Sequence, residues 1–134
     1  MVRYLAFVAC LFAAACGGPS EYVVVGTARA SGADGLVTVE RTESNNLVSI
    51  TMEHLAPPGR VRDGATVYAV WFQPDGQDAR MVGVLQYDAD DRSGTFSGTT
   101  PDAALEVIVT AEPDSTINAP SDVVIIRQEV SAPN

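Results

Sequence analysis

The chain has 134 residues, which is enough for one domain but too few for two ordinary ones. Its 8 Lys plus Arg residues against 17 Asp plus Glu residues give a formal net charge of −9 at pH 7, which argues against nucleic acid as a partner. Hydrophobic residues make up 46% of the chain, so a core can form and a disordered protein is not expected.

A leader over residues 1–15 is the first predicted element. Arg3 supplies a positive charge, and residues 4–15 form an apolar run. That run is too short to cross a hydrocarbon core of roughly 30 Å as a helix, but it has the length of a signal peptide. Cys10 and Cys16 are the only cysteines, so the domain that follows is predicted to contain neither a disulfide nor a thiolate metal site.

The leader ends in three alanines, Cys16 and two glycines, a motif that resembles the lipobox of bacterial lipoproteins. The resemblance implies cleavage before Cys16, acyl chains on its thiol, and membrane anchoring through residues 16–21 as a lipidated tether. The protein would then be an extracytoplasmic lipoprotein of a bacterial cell envelope. In a cell with two membranes we expect the outer one, because Gly17 is not an aspartate. The three alanines also fit the cleavage site of an ordinary secreted protein, which remains the alternative.

The remaining chain, residues 22–131, has the apolar and polar alternation of β-strands. Turns rich in Gly, Pro, Asn and Asp separate eight predicted strands, which favours a single all-β domain. We predict an immunoglobulin-like antiparallel β-sandwich of seven or eight strands. The predicted strands cover residues 22–30, 36–42, 47–55, 66–72, 80–87, 94–98, 105–112 and 122–130. Their alternation places in the core Val37, Val39, Val48, Ile50, Met52, Leu105, Val107, Val109 and Ala111.

Several short motifs between residues 47 and 126 resemble a known bacterial domain. They are Leu55-Ala56-Pro57-Pro58, then Tyr68-x-x-Trp71-Phe72, then Glu112-Pro113, and a loop to Pro120 before Val123-Val124. Together they look like the extracytoplasmic C-terminal domain of the anti-sigma-K factor family, which is a β-sandwich. The resemblance implies a fold and an envelope-facing role. It does not imply sigma-factor inhibition, because the family's sigma-binding segment and transmembrane helix are not found before this domain.

The predicted central strand, residues 66–72, carries the only tryptophan and is apolar on both faces. In a two-sheet sandwich only one face of each sheet meets the core. We expect Trp71 to lie in the core, with Tyr68, Val70 and Phe72 forming an exposed patch that binds a partner. The alternative is that a loop or the N-terminal strand covers the second face.

His54 is the only histidine, and its position in the alternation predicts the inward face of its strand, beside Leu55. A lone imidazole without a second His or a Cys does not predict a zinc or copper site. We therefore expect a hydrogen-bonded residue at a strand end, and we predict no cofactor. No histidine base lies near a glycine-flanked serine, so no catalytic triad is predicted.

Asp88, Asp90 and Asp91 form the candidate calcium site. The spacing departs from an EF-hand loop, because the third carboxylate comes one residue early, the glycine one residue late, and position 12 is Thr99. The preferred interpretation is a solvated turn between two strands, which Asp and Gly commonly build.

These features predict a lipid-anchored, non-enzymatic module of the cell envelope that binds a protein or polymer partner. One alternative is a small hydrolase with a pair of carboxylates, which would have to lie roughly 5 to 10 Å apart in a cleft. The other alternative is an adhesion module that calcium stabilises.

Overall fold

The structure is a computed structural model that describes residues 18–134, and the predicted signal peptide and Cys16 lie outside that range. Two antiparallel sheets pack face to face, so the predicted all-β sandwich is confirmed, with nine strands rather than seven or eight. One short helix, α1 (Pro58–Val61), follows the third strand. The strands are β1 (Ser20–Val25), β2 (Asp34–Arg41), β3 (Asn46–Glu53), β4 (Val67–Pro74), β5 (Arg80–Val84), β6 (Gln86–Asp88), β7 (Ser93–Thr100), β8 (Ala104–Glu112) and β9 (Val124–Ser131).

The first sheet has the strand order β1-β2-β3-β7-β6, and the second has the order β5-β4-β8-β9. Strands that follow one another in sequence pair at the flanks, as in β1 with β2 and β8 with β9. The centre of each sheet instead joins distant parts of the chain, where β3 pairs with β7 and β4 pairs with β8. In each sheet, strands that are neighbours in sequence thus lie on both sides of one ladder between strands that are distant in sequence.

Alternation correctly predicts the inward-facing apolar side chains of β2, β3 and β8. Side chains from β2, β3 and β8 that were expected in the core are buried between the sheets, and they contact the inward side chains of β4. The polar residues between them point away from the core. The buried residues include Val37, Val39, Val48, Ile50, Met52, Leu105, Val107, Val109 and Ala111.

Leu85 divides the predicted strand over residues 80–87 into two strands that belong to different sheets. β5 pairs with β4 in the second sheet, whereas β6 pairs with β7 in the first. The Leu85 side chain is buried, and its amide donates to the Tyr68 carbonyl at 2.8 Å. The chain thus crosses from one sheet to the other here and closes this side of the sandwich.

Two tyrosine hydroxyls hold the segment after β3 against the core. Tyr87 donates to the Leu55 carbonyl at 2.6 Å, and Tyr68 donates to the carbonyl of Ala56. The two rings meet edge to face with centroids 5.7 Å apart. Burial raises the pKa of Tyr68, and the neighbouring Tyr87 adds to the effect. Tyr68 therefore stays neutral and keeps its hydrogen bond.

On the opposite side of the sandwich, β1 and β9 lie next to each other as the edges of their two sheets. The predicted first strand, residues 22–30, ends early, because β1 stops at Val25 and a 3₁₀ turn covers Ala28–Ala30. Thr27 then donates its amide to the Ile125 carbonyl at 2.9 Å. Ser131 donates its amide to the Tyr22 hydroxyl at 2.9 Å. These contacts join the two edges at their ends.

Candidate functional site

The central strand has its faces arranged opposite to our prediction. Tyr68, Val70 and Phe72 are each 0% exposed and lie in the core between the sheets, so the predicted partner-binding patch is wrong. Trp71 is also 0% exposed, but it lies on the outer face of the second sheet with Ala69 and Ile108. The alternative interpretation, that a loop covers the second face, is the one that the structure bears out.

The loop over residues 113–123 covers Trp71 and is fixed there by polar contacts. Its Ile117 packs against the small cluster around the indole. The indole N–H donates to the Thr110 hydroxyl at 2.8 Å, so the ring's polar atom has its partner on this face. The prediction that Trp71 lies in the main core is therefore wrong. On the outer face, Thr110 accepts its hydrogen bond and the 113–123 loop covers its ring.

Glu112 is the one buried acid among the described residues, and its oxygens are already occupied. Arg62 donates to one oxygen at 2.7 Å. Thr110 and the Ser121 amide donate to the other oxygen at 3.0 and 3.1 Å. This network ties the 113–123 loop to β8 and to the segment after α1. Its role in the described structure is to support the fold, since each oxygen has a protein partner.

The acidic turn between β6 and β7 forms a hydrogen-bonded turn. One Asp88 carboxylate oxygen accepts the amides of Asp90 and Asp91 at 2.9 and 3.3 Å. All three aspartates are exposed. Asp88 thus caps its own turn, as Asp commonly does, and this arrangement matches the solvated-turn interpretation.

His54 lies on the surface rather than on the inward face, so that part of the prediction is wrong. Its backbone φ is 54°, a left-handed conformation that ends the strand alternation and turns the imidazole outward. The side chain is 73% exposed, and its Nδ1 lies 2.6 Å from Asp34 Oδ1. It is a hydrogen-bonded residue at a strand end, as expected. This hydrogen bond and the charge of Asp34 raise the pKa of His54.

The edge strand β1 presents the exposed large hydrophobic side chains of the described chain. Val23 is 80% exposed and Val25 is 72% exposed, whereas Val24 between them is buried. The sequence signal for this arrangement is faint, because four apolar residues in a row give no alternation. Sequence reasoning therefore missed these two valines.

Within residues 18–134, the amides of Val23 and Val25 make no backbone hydrogen bond on the side of β1 that faces away from β2. Gly26 donates its amide to Ala33 of the adjoining segment at 2.7 Å, and the next amide, that of Thr27, points the other way to Ile125. Because successive amides alternate in direction along an antiparallel strand, those of Val23 and Val25 point away from β2. The two exposed valines thus stand beside backbone amides that β2 does not pair, on the side of β1 where β9 also lies.

The outer face of the first sheet next to β1 is acidic. Register and alternation direct Glu21, Asp34, Glu40 and Glu53 away from the core. On the strands β1, β2, β3 and β7, no arginine shares that outward register. The rest of the face is largely hydroxyl-bearing, through threonines and serines on β2, β3 and β7. A partner on this face therefore meets negative charge.

A groove of about 650 Å³ lies at one end of the sandwich. The turn after β4, the start of β8 and the end of β9 form its walls, and Tyr22 of β1 contributes to the lining. Two of its acids are Glu106, which pairs with Arg127, and Glu129. The groove thus borders the start of the β1 edge and continues its acidic character.

We designate as the candidate partner surface the β1 edge with Val23 and Val25 and the acidic outer face beside it. The predicted lipid attachment at Cys16 lies outside the described residues. Within residues 18–134, no helix has the length and apolarity required to span a membrane. A scan against protein-family models, a search of curated proteins and a search of solved structures each found no match to this chain.

Proposed function

We propose that this protein is a lipid-anchored, non-enzymatic module of a bacterial cell envelope that binds a partner protein by pairing with one of its extended strands. The observation that carries the proposal is the edge of β1, where Val23 and Val25 are 80% and 72% exposed beside amides that point away from β2. Unpaired backbone groups at a sheet edge, with apolar side chains exposed beside them, favour pairing with a strand of another chain.

The partner segment is an extended strand that carries Lys or Arg. Strand addition supplies main-chain hydrogen bonds, and the alternating side chains of the added strand determine specificity. A strand beside β1 would cover both valines and place its own side chains next to Glu21. Since the adjoining face carries Asp34, Glu40 and Glu53, basic side chains on that strand would complement it.

The sequence resemblances support the cellular setting of this proposal. The lipobox-like motif implies an anchor at Cys16, and β1 begins at Ser20, inside the segment predicted as the tether. The likeness to the anti-sigma-K extracytoplasmic domain, a β-sandwich, implies an envelope-facing role. Labelling cells with a radioactive fatty acid tests the anchor, since Cys16→Ser should abolish incorporation into this protein.

Photo-crosslinking in the cell envelope tests the partner surface. A photoreactive amino acid placed at position 23 should trap a partner protein, and mass spectrometry then identifies the partner's crosslinked segment. A synthetic peptide of that segment is next titrated into the purified protein by calorimetry. The peptide should bind wild type and should bind the double variant Val23→Lys/Val25→Lys at least about tenfold more weakly, because two lysines block the edge and repel a basic strand.

The matched control is Thr95→Lys/Ser97→Lys, which adds the same charge on β7, away from the β1 edge. This variant should keep most of the affinity, and circular dichroism should show that both variants fold. Equal loss of affinity in the two variants would show that the added positive charge alone weakens binding. That result would overturn the β1 edge as the binding site. Crosslinks from position 23 only to another copy of this chain would overturn the choice of partner.

A further inference from the structure

Asp34, Glu53 and His54 bring three metal-ligating side chains together at one end of the first sheet. Each side chain offers one oxygen or nitrogen atom, and these atoms all lie within 4.8 Å of one another. Within residues 18–134, no other trio of His, Cys, Asp or Glu side chains has this spacing. The cluster is therefore singular in the part of the chain that the structure describes.

Sheet pairing positions two of the three ligands. Asp34 begins β2 and Glu53 ends β3, and the two residues are direct partners in the antiparallel register. Directly opposed residues point to the same face, so both carboxylates lie on the outer side. His54 would point inward if the strand continued, but its φ of 54° returns the imidazole to the side of Asp34. Two strands and one backbone reversal thus bring the ligands together.

We infer that Asp34, Glu53 and His54 bind a divalent transition-metal ion, and that Zn²⁺ is the ion their ligand set fits best. One imidazole nitrogen and two carboxylate oxygens are donors that zinc commonly takes in proteins. Ca²⁺ and Mg²⁺ prefer all-oxygen ligand sets with higher coordination numbers, so the imidazole disfavours them. Three protein ligands leave zinc a fourth position that faces solvent.

Charge and distance both permit the ion to enter. With His54 neutral, the two carboxylates carry two negative charges, which a divalent ion balances. His54 Nδ1 and Asp34 Oδ1 lie 2.6 Å apart, and tetrahedral zinc with bonds near 2.0 to 2.2 Å would hold them roughly 3.3 to 3.6 Å apart. Their side chains are 73% and 50% exposed and free to separate by that amount. Zinc binds Nδ1 in place of its proton, and the neutral imidazole then carries its single ring proton on Nε2.

The sequence leads to the opposite expectation, because it contains one histidine and no cysteine beyond position 16. His54 is a candidate metal ligand only because the pairing of β2 with β3 places the carboxylates of Asp34 and Glu53 beside it. Asp34 and Glu53 also belong to the acidic face of the candidate partner surface, so bound zinc would reduce its negative charge. Zinc binding by the three side chains does not itself require that β1 bind a partner strand.

Nuclear magnetic resonance gives a site-specific test, since the protein has a single histidine. ZnCl₂ is titrated into the ¹⁵N-labelled full chain while the two imidazole nitrogen signals are followed. We expect a saturable one-to-one shift of one ring nitrogen, which marks direct coordination. Ca²⁺ at the same concentrations should leave both signals in place. Thiols elsewhere in the chain do not disturb this readout, because only His54 contributes to it.

Asp34→Asn and Glu53→Gln should each weaken the zinc-dependent shift at least about tenfold, and circular dichroism should show that both variants remain folded. The matched control is Asp90→Asn, which removes one exposed carboxylate from the β6–β7 turn and should leave the titration unchanged. An absence of any imidazole shift at millimolar Zn²⁺ would overturn the inference. An undiminished shift in both ligand variants would also overturn it, since a lone histidine would then explain the binding.

Discussion

Trp71 donates its indole N–H to the Thr110 hydroxyl at 2.8 Å, on the face of the second sheet that points away from the main core. The Thr110 hydroxyl in turn donates to Glu112 at 3.0 Å, so the three side chains form a hydrogen-bond chain. This pair explains how a strand that is apolar on both faces can sit in a two-sheet sandwich. The outer face has a small core of its own, with a polar network beside it.

Replacing Thr110 with valine keeps the shape of the side chain and removes its hydroxyl. The Trp71 N–H then loses its acceptor in a site that is 0% exposed. We expect the free energy of unfolding to fall by about 1–3 kcal/mol, measured by urea denaturation with tryptophan fluorescence. Thr95→Val on the exposed side of β7 is the control and should change it by no more than about 0.5 kcal/mol. Equal effects would mean that the hydrogen bond contributes nothing.

Glu112→Ala should be among the most destabilising single substitutions in the second sheet. It removes a buried carboxylate that accepts from Arg62, Thr110 and Ser121. Because Arg62 remains 34% exposed and partly hydrated, we expect a loss of about 3 kcal/mol, at the lower end for a broken buried pair. Denaturant unfolding measures it, with Glu43→Ala on an exposed turn as the control. A loss as small as that of the control would show that the network does not stabilise the fold.

Gly98 leaves room for the ring of Phe96, so Gly98→Ala should destabilise the first sheet. A Cβ atom at position 98 would lie 2.8 Å from the ring, and a Cβ atom at Gly83 would lie 2.7 Å from the same ring. Overpacking of this kind costs about 1–3 kcal/mol, which a thermal melt will detect. Adding Phe96→Leu should recover part of the loss, whereas Gly18→Ala, with open space around it, should have no effect. If the double variant were no more stable than Gly98→Ala alone, the loss of stability would come from the backbone conformation at position 98 and not from contact with the Phe96 ring.

The protein should lose stability at alkaline pH. Burial raises the pKa of Tyr68, so the folded chain keeps a proton that the unfolded chain releases near pH 10. The free energy of unfolding should therefore stay level up to about pH 10 and fall as the pH rises further. Tyr68→Phe should flatten that fall, as measured by denaturant unfolding across the pH series.

Tyr22→Phe is the control of opposite sign for this pH series. Hydrogen bonds with Ser131 lower the pKa of Tyr22, so the fold favours its ionised form and this residue opposes the alkaline loss. Removing its hydroxyl should make the fall steeper. If both variants behaved alike, the pH dependence would not arise from the buried hydroxyl of Tyr68.

How far the sequence predicts this fold depends on whether a strand has one polar face. In β3, Ser49 and Thr51 alternate with apolar residues, so the direction of each side chain follows from the period of two. In β4 both faces are apolar, and alternation separates Trp71 from Phe72 without identifying which of them faces the other sheet. That choice depended on the 113–123 loop, whose position no local pattern records.

The candidate sites were harder to predict than the core. Val23 and Val25 lie in an unbroken apolar run, so their exposure followed only from the position of β1 at a sheet edge. Asp34 and Glu53 are distant in sequence and meet through the pairing of β2 with β3. The break at Leu85 was likewise invisible, because a strand that changes sheets keeps the composition of a strand that does not.

The way the two sheets are joined also bears on how quickly the chain can reach its native structure. β3 pairs with β7, and β4 pairs with β8. In the sequence, β4 lies between β3 and β7, and β7 lies between β4 and β8, so the two pairings overlap along the chain. Local hairpins alone can therefore complete neither sheet. Folding that depends on such distant contacts is slow, typically milliseconds to seconds. The β3–β7 ladder needs residues up to Thr100, and the β4–β8 ladder needs residues up to Glu112.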